Sequence, residues 1–327
     1  MPIHLLVPGL LGPWPDTSLQ QPMPPFPVLE RLLARADRRS APSGYPRTLF
    51  SLLDMPFQPR ESLPTASLCW LADSDEPLPG NILHADPVYL KPDMADVQLF
   101  KPQNLQPEQA LAYARAFNDF YHAEGYRLYT PTPDRWYLST PRPVRTPEAS
   151  LDQVSGRNLR SFVAAGEQSR DWSSLFTEAQ MLFHELPVNL ARQAAGEMPV
   201  SGIWLSGGGP LPVTGDHEIG LVAGDDPLLR GAAMHAGVGC QAGPFDPEEN
   251  VLIVRQGCHS AWLALDFSTW LEQVQQIETL LRGWIQARIP VILYPCNGRC
   301  WHWQLQNKMR LWRRKCEIAD YVTTKNQ

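Results

Sequence analysis

The sequence predicts an α/β fold: a mostly parallel sheet flanked by helices, with a smaller inserted α+β unit. Three observations carry that prediction. The second half of the chain alternates short apolar strands with amphipathic helices, the order that produces parallel pairing with both sheet faces covered. The short strands read as largely apolar runs, as in Ile3 to Val7, where only His4 is polar, and Pro290 to Tyr294, rather than as one-faced alternation. A block near residues 80 to 140 groups strands around a single helix and stands apart from that alternation.

Taken in order, Ile3 to Val7 is a short buried strand that runs into a Pro-Gly turn. Val28 to Arg38 is a helix, with Val28, Leu29, Leu32 and Leu33 on one face. A second helical patch lies near Arg47 to Met55, and the apolar run Ser67 to Ala72 reads as a strand. Ile82 to Leu90 and Asp96 to Phe100 form two strands about a Lys91-Pro92-Asp93 turn. Pro107 sits in the first turn of a helix that continues to about His122. Tyr126 to Thr130 and Trp136 to Ser139 are strands. Trp172 to Ala195 is helical on either side of a break at Pro187.

Gly202 to Leu205 is a buried strand that ends in Ser206-Gly207-Gly208-Gly209-Pro210. Ile219 to Ala223 and Asn250 to Arg255 are strands, and Pro227 to Ala236 is a helix between them. Phe267 to Ala287 is the clearest amphipathic helix, with Trp270, Leu271, Val274, Ile277, Leu280, Leu281 and Trp284 at helical spacing.

Composition limits the function classes. The 327 residues hold 28 Lys and Arg against 34 Asp and Glu, a net charge of −6, so a nucleic-acid partner held by phosphate contacts is not expected. No run of eighteen apolar residues occurs and the N-terminus lacks a basic n-region, which predicts no membrane partner, no signal peptide and a cytoplasmic protein. The six cysteines are irregularly spaced in a long chain and read as reduced thiols. The 33 prolines imply many short elements joined by stiff loops.

Several clusters contain chemically useful residue types. The glycine run after Ser206 lets backbone N–H groups approach an anion, or simply makes a sharp turn. Asp216-His217-Glu218, near Asp225-Asp226, offers metal donors, but adjacent residues point in different directions. Cys296-x-x-x-Cys300-x-His302, with Cys316 as a further thiol, falls short of a four-ligand zinc pattern. Cys258-His259 are neighbours in sequence only, which does not make a catalytic dyad.

The stretch His184-Glu185-Leu186-Pro187-Val188-Asn189-Leu190-Ala191-Arg192, followed by Pro199, Ile203-Trp204-Leu205 and Gly207-Gly208-Gly209-Pro210, resembles a segment of the archaeal-type cofactor-independent phosphoglycerate mutases of the alkaline-phosphatase superfamily. Leu83-His84-Ala85-Asp86-Pro87-Val88 and Trp136-Tyr137-Leu138 are similar to the RpfE-type bacterial regulatory proteins labelled phosphoglycerate-mutase-like. The likeness spans roughly residues 1 to 295. It implies an alkaline-phosphatase-like core over 1–78 and 196–327, with the small α+β domain at 79–195.

The resemblance also implies a pair of metal ions held by carboxylates and histidines at strand ends, and there the chain departs from the pattern. The first strand leads to Pro8 where relatives carry Asp. A later one leads to Arg255-Gln256-Gly257-Cys258-His259 in place of Asp-x-x-x-His, and another to Pro295-Cys296-Asn297 in place of Asp-His. The nucleophile region, with Ser43 and Ser51, lacks an acidic neighbour. Two-metal phosphoryl transfer needs that ligand charge to hold its cations.

The expectation is therefore a non-catalytic regulatory or ligand-sensing protein with no catalytic residue, no metal ligand and no cofactor. Its anion contacts are expected at Asn189, Arg192, Ser206, Gly207, Gly208 and Gly209, with His84 and Asp86. Two alternatives stand beside it. One is an active metal-dependent mutase or phosphatase using Asp73, Asp75, His84, Asp86, Asp216 and His217. The other is an interaction protein that binds a partner or a second copy through its Trp-rich C-terminal region, where seven of the eleven tryptophans follow residue 200.

Overall fold

A computed structural model describes residues 1–14, 23–58, 62–92, 97–144, 146, 149–156, 170–241, 250–313 and 317–322. The chain divides into two compact units: Met1–Pro56 with Val213–Gln327, and Phe57–Pro212. The first unit opens with β1 (Ile3–Leu6), α1 (Pro27–Arg35), β2 (Asp37–Ser43) and α2 (Tyr45–Leu52). The second contains α3 (Thr65–Asp73), β3 (Asn81–Pro92), β4 (Val97–Phe100), α4 (Pro107–Phe120), β5 (Arg127–Thr132) and β6 (Arg135–Thr140). It closes with α5 (Leu151–Val154), α6 (Arg170–His184), α7 (Pro187–Ala194) and β7 (Gly202–Ser206). The chain returns to the first unit for β8 (Leu221–Ala223), α8 (Pro227–Ala236), β9 (Gly239–Gln241), β10 (Val251–Val254) and α9 (Gly257–Leu263). It ends with α10 (Phe267–Gln286), β11 (Val291–Tyr294), β12 (Asn297–Trp303) and α11 (Ile318–Val322).

The first unit is the mostly parallel sheet flanked by helices. Its seven strands run in the order β2-β12-β11-β1-β10-β8-β9. β1 is central and pairs in parallel with both β10 and β11, Ile3 lying beside Val251 and Val291. β8 continues the parallel set to β9, while β12 and β2 add an antiparallel edge. Burial on both faces explains why β10 reads as an unbroken apolar run and β1 as one interrupted only by the buried His4. Ile3, Leu5, Ile253 and Leu293 pack with Leu29, Leu32 and Leu33 of α1 and Trp270, Val274 and Leu281 of α10.

One buried carboxylate fastens those two helices. Glu278 of α10 is 1% exposed and accepts from the Val28 and Leu29 backbone N–H groups at 3.0 and 2.8 Å. It thereby satisfies donors that α1 cannot pair internally.

The second unit is antiparallel. β3 is its axis, paired with β6 over Asn81–His84, with β7 over His84–Val88 and with β4 over Tyr89–Pro92. β5 completes the sheet beside β6. Tyr113 and Phe117 of α4, Phe183 of α6, Trp136 and Trp204 form its separate core.

Three sequence expectations change here. Ser67 to Ala72 is part of the helix α3, not a strand, because a short apolar run has no period that separates a buried helix from a strand. The helix predicted to reach Arg38 stops at Arg35, and Asp37–Ser43 becomes the edge strand β2. The division falls at residues 56/57 and 212/213, not at 78/79 and 195/196. α3 and β7 both belong with β3, and β7 adds an antiparallel strand to the second sheet rather than a parallel one to the first.

Among the described residues no helix is long and apolar enough to cross a membrane.

Candidate functional site

Open parallel sheets bind ligands beyond the carboxyl ends of their strands, so the ends of β1, β10, β8 and β11 are the candidate site of the first unit. After β1 the chain turns through Val7, Pro8 and Gly9. Gly9 has φ +74°, and a Cβ there would lie 2.9 Å from the His259 Cα and 3.0 Å from the Cys258 carbonyl oxygen. That close approach needs glycine. The Gly9 carbonyl accepts from the Trp270 indole at 3.0 Å. After β10 comes Arg255, whose backbone N–H donates to the Leu6 carbonyl at 2.9 Å; its side chain is exposed. Gln256 follows, with a buried Oε1 that has no protein partner.

The carboxylates that follow β8 are Asp225 and Asp226. Asp226 is the N-cap of α8, accepting from the Leu229 N–H at 3.0 Å and from the Tyr45 hydroxyl at 2.5 Å. After β11 come Pro295 and Cys296. Cys296 has φ +63° and its carbonyl accepts from the Gly44 N–H at 2.8 Å. Burial pushes the Cys296 and Cys258 thiols up to about 12, so both stay protonated and unreactive at neutral pH. His259 stacks on Trp262 with ring centroids 6.0 Å apart.

A pair of divalent cations needs several converging hard donors, and these strand ends do not suit one. They present proline, glycine, a guanidinium, a helix cap, two protonated thiols and one exposed carboxylate, Asp225. Among the described residues no group of three or more His, Cys, Asp or Glu side chains converges to hold a metal ion. Asp216 and Glu218 are exposed in the irregular segment before β8, and His217 keeps a buried, unpartnered Nδ1 there.

Further along the same sheet, the Cys300 Sγ lies 3.4 Å from the His302 Nε2 on β12. His4 of β1 meets the Tyr294 hydroxyl through Nδ1 at 3.1 Å. Burial and the nearby His302 lower the His4 pKa to about 4. Cys316 lies outside the described residues.

The residues expected to bind an anion belong to the second unit, and its own backbone occupies most of them. Asn189 is 2% exposed. Its amide nitrogen donates to the Phe183 and Val200 carbonyls at 2.6 and 2.8 Å, and its Oδ1 accepts from the Val200 N–H and from the Tyr113 hydroxyl. Arg192 is 1% exposed. Its guanidinium donates to the Met198 and Gln103 carbonyls and to the Gln109 side chain, and it pairs with Glu197 at 3.0 Å. An amide has two donors and a guanidinium five, so little capacity is left for a ligand. These side chains fasten α7 to α4 and to the loop before β7; the anion-contact expectation gives way to that role.

The glycine run is also structural. The Gly207 carbonyl accepts from the Ala66 N–H at 3.0 Å and the Gly209 carbonyl from the Ser67 hydroxyl at 2.7 Å. A Cβ on Gly207 (φ +64°) would lie 2.2 Å from the Thr65 Oγ1, and one on Gly208 would lie 2.2 Å from Leu83. Ser206 is buried at the end of β7. The run therefore packs a loop against the start of α3 instead of lying at a parallel sheet's edge.

His84 and Asp86 sit two apart on β3. The His84 ring N–H donates to the Thr65 carbonyl while its Nδ1 is buried without a partner, and burial lowers its pKa to about 4. Asp86 has a buried, unpartnered Oδ1, and burial raises its pKa to about 7 despite the nearby Lys101. Asp73 is held by Arg135 at 2.5 and 2.8 Å and by the Tyr137 hydroxyl, which commits it to the fold; Asp75 is exposed.

Sequence reasoning missed a pocket of about 520 Å³ in this unit, lined by Gln180, Met181, His184, Glu185, Gln193 and Ser201, among others. The only usable signal was that His184 and Glu185 open the stretch carrying the family resemblance. Of the residues expected at a site, only Asn189 reaches this pocket.

No protein-family model matches the chain, and no curated protein matches it. Solved structures align with the chain at low identity, two of them as follows. The PH0037 protein from Pyrococcus horikoshii aligns with a TM-score of 0.51 at 12% identity, over 93% of this chain and 87% of that one. The cofactor-independent phosphoglycerate mutase from Thermoplasma acidophilum DSM 1728 aligns with a TM-score of 0.44 at 13% identity, over 99% and 95% of the two chains.

Proposed function

We propose that this chain is a non-catalytic, RpfE-type relative of the cofactor-independent phosphoglycerate mutases, on an alkaline-phosphatase-like core. Its role is to sense a small phosphorylated or carboxylated ligand. The sequence likeness at residues 184–210 supports the ancestry. The observation that carries the functional reading is Arg255, which directly follows β10, the neighbour of the central strand β1, and is bonded through its backbone to Leu6, two residues before Pro8.

In such enzymes a bound metal pair neutralises phosphate charge and activates an oxygen nucleophile. A guanidinium at that strand end repels cations and attracts anions instead. It forms hydrogen bonds with phosphate or carboxylate oxygens but cannot deprotonate a nucleophile or leave an open coordination position. Binding without turnover follows. Asp226 caps a helix, and the Cys258 and Cys296 thiols are held protonated, so none of these groups is set up as an acid, a base or a nucleophile.

The test pairs ligand-induced thermal stabilisation with an isomerase assay, using 3-phosphoglycerate on the full chain. The reading expects a stabilising shift that grows with ligand concentration, no conversion to 2-phosphoglycerate with or without added manganese, and loss of the shift in Arg255→Ala. Chelator-sensitive interconversion of the two isomers would instead establish the enzyme alternative.

A further inference from the structure

The C-terminal segment after β12 places apolar side chains in solvent among cations. Leu305, Met309, Leu311 and Trp312 are 49, 74, 73 and 77% exposed. Of the tryptophans after residue 200, Trp204, Trp270, Trp301 and Trp303 are buried, so Trp312 is an exception to how this chain uses the residue. Isolated exposed apolar residues are ordinary, but several within eight positions call for an explanation.

This exposure is imposed by the fold. Asn307 is fully buried and donates to the Arg35 carbonyl at 3.1 Å. Arg310 donates to the same carbonyl and pairs with Asp37 at 2.5 Å, and Arg313 donates to the Ala36 carbonyl at 2.8 Å. Arg35 in turn donates to the Lys308 carbonyl at 2.9 Å. The backbone is clamped to the end of α1 and the start of β2 while the apolar tips stay outside.

The same clamps gather charge. Arg35, Arg38, Arg39, Lys308, Arg310 and Arg313 lie on α1, β2 and this segment, and Asp37 is the carboxylate set among them. Glu317 and Asp320 come next, at the start of α11, where the Asp320 carboxylate accepts from the Glu317 N–H. Arg38 and Arg39 are exposed on an edge strand. In a chain of net charge −6, this is a local reversal of sign.

We propose that this face docks onto an anionic lipid surface. The cations would meet headgroup phosphates while Met309, Leu311 and Trp312 enter the boundary with the acyl chains. An indole and two flexible aliphatic side chains on a segment that also carries Lys and Arg is the chemistry that such a boundary rewards. Nucleic acid is a poorer fit, since Met and Leu offer no flat face for stacking. A second copy is poorer still, because it would bring the same six cations against these. The proposal is independent of the sensing role above.

The experiment is co-sedimentation of the full chain with phosphatidylcholine vesicles carrying about 30% phosphatidylglycerol, at low salt and at about 0.5 M NaCl. The expected result is binding that falls at least about tenfold at high salt, on vesicles of pure phosphatidylcholine, and in Leu311→Ser/Trp312→Ser. Both side chains are largely exposed, and an unchanged melting temperature confirms that the variant is folded. Arg38→Gln/Arg39→Gln should weaken binding without abolishing the apolar contribution. Absence of vesicle binding at low salt, or binding unchanged in the Leu311/Trp312 variant, would overturn the proposal. So would equal binding to neutral vesicles, tighter binding to an oligonucleotide, or a concentration-dependent dimer lost in that variant.

Discussion

The two units put their polar residues to different use. In the second unit the residues that carry the resemblance are present and buried: Asn189 and Arg192 join α7 to its surroundings, and Gly207 lets a loop close on α3. In the first unit the parallel strand ends carry Pro8, Arg255 and Pro295. The buried polar groups of the second unit hold its fold, while in the first unit, among the described residues, no three His, Cys, Asp or Glu side chains converge. A motif match in one unit is therefore evidence of architecture and says little about chemistry in the other.

The largest effects should fall on the second unit's internal bonds. Asn189→Ala orphans the Val200 carbonyl and N–H and the Tyr113 hydroxyl in a buried setting, and should cost about 3 kcal/mol or more in urea unfolding. A near-neutral result would mean that the amide is not the fastener described. Gly207→Ala comes next. It puts a methyl group into Thr65 and His84 at positive φ and should cost about 2–4 kcal/mol.

A pH series sharpens the contrast further. Asp86 has its pKa raised to about 7, so its stabilising contribution is complete below the ordinary carboxyl value of 3.8 and is lost as pH rises through 7. His84 has its pKa lowered to about 4, so its contribution is complete above 6.5 and is lost as pH falls through 4. Between pH 4 and 6.5 the two slopes oppose each other. Asp86→Asn should therefore become more stable with rising pH relative to the parent, and His84→Gln less stable. Melting temperatures at half-unit pH steps would show it, and parallel curves for both variants would refute the assignment.

The smallest effect belongs to the first unit. Asp226→Ala removes a helix cap and should cost about 1 kcal/mol, with no change in bound metal. A larger loss accompanied by released metal would make Asp226 a ligand.

Much of this fold was legible from residue pattern. β1, α4, α8, α10 and β11 follow from apolar runs, from proline in a first turn and from a long amphipathic period. β2 was not legible, since Asp37-Arg38-Arg39-Ser40 has the polarity of a loop and is a strand only because β12 pairs with it. β7 was read as a strand but assigned to the other sheet, because a five-residue apolar run does not encode its partner. The site was less legible. Asn and Arg in a recognised stretch look alike in sequence whether they face a ligand or a backbone carbonyl, and their burial beside Tyr113 and Gln109 is decided by tertiary packing.

The central claim, that the parallel strand ends hold no metal pair, is tested most directly by metal stoichiometry. Calorimetric titration of manganese and zinc into the chelator-treated full chain, checked by elemental analysis of the protein as purified, should find less than about 0.1 equivalent of tightly bound ion per chain. Two equivalents bound tightly, with phosphoglycerate isomerisation restored on loading, would contradict the account.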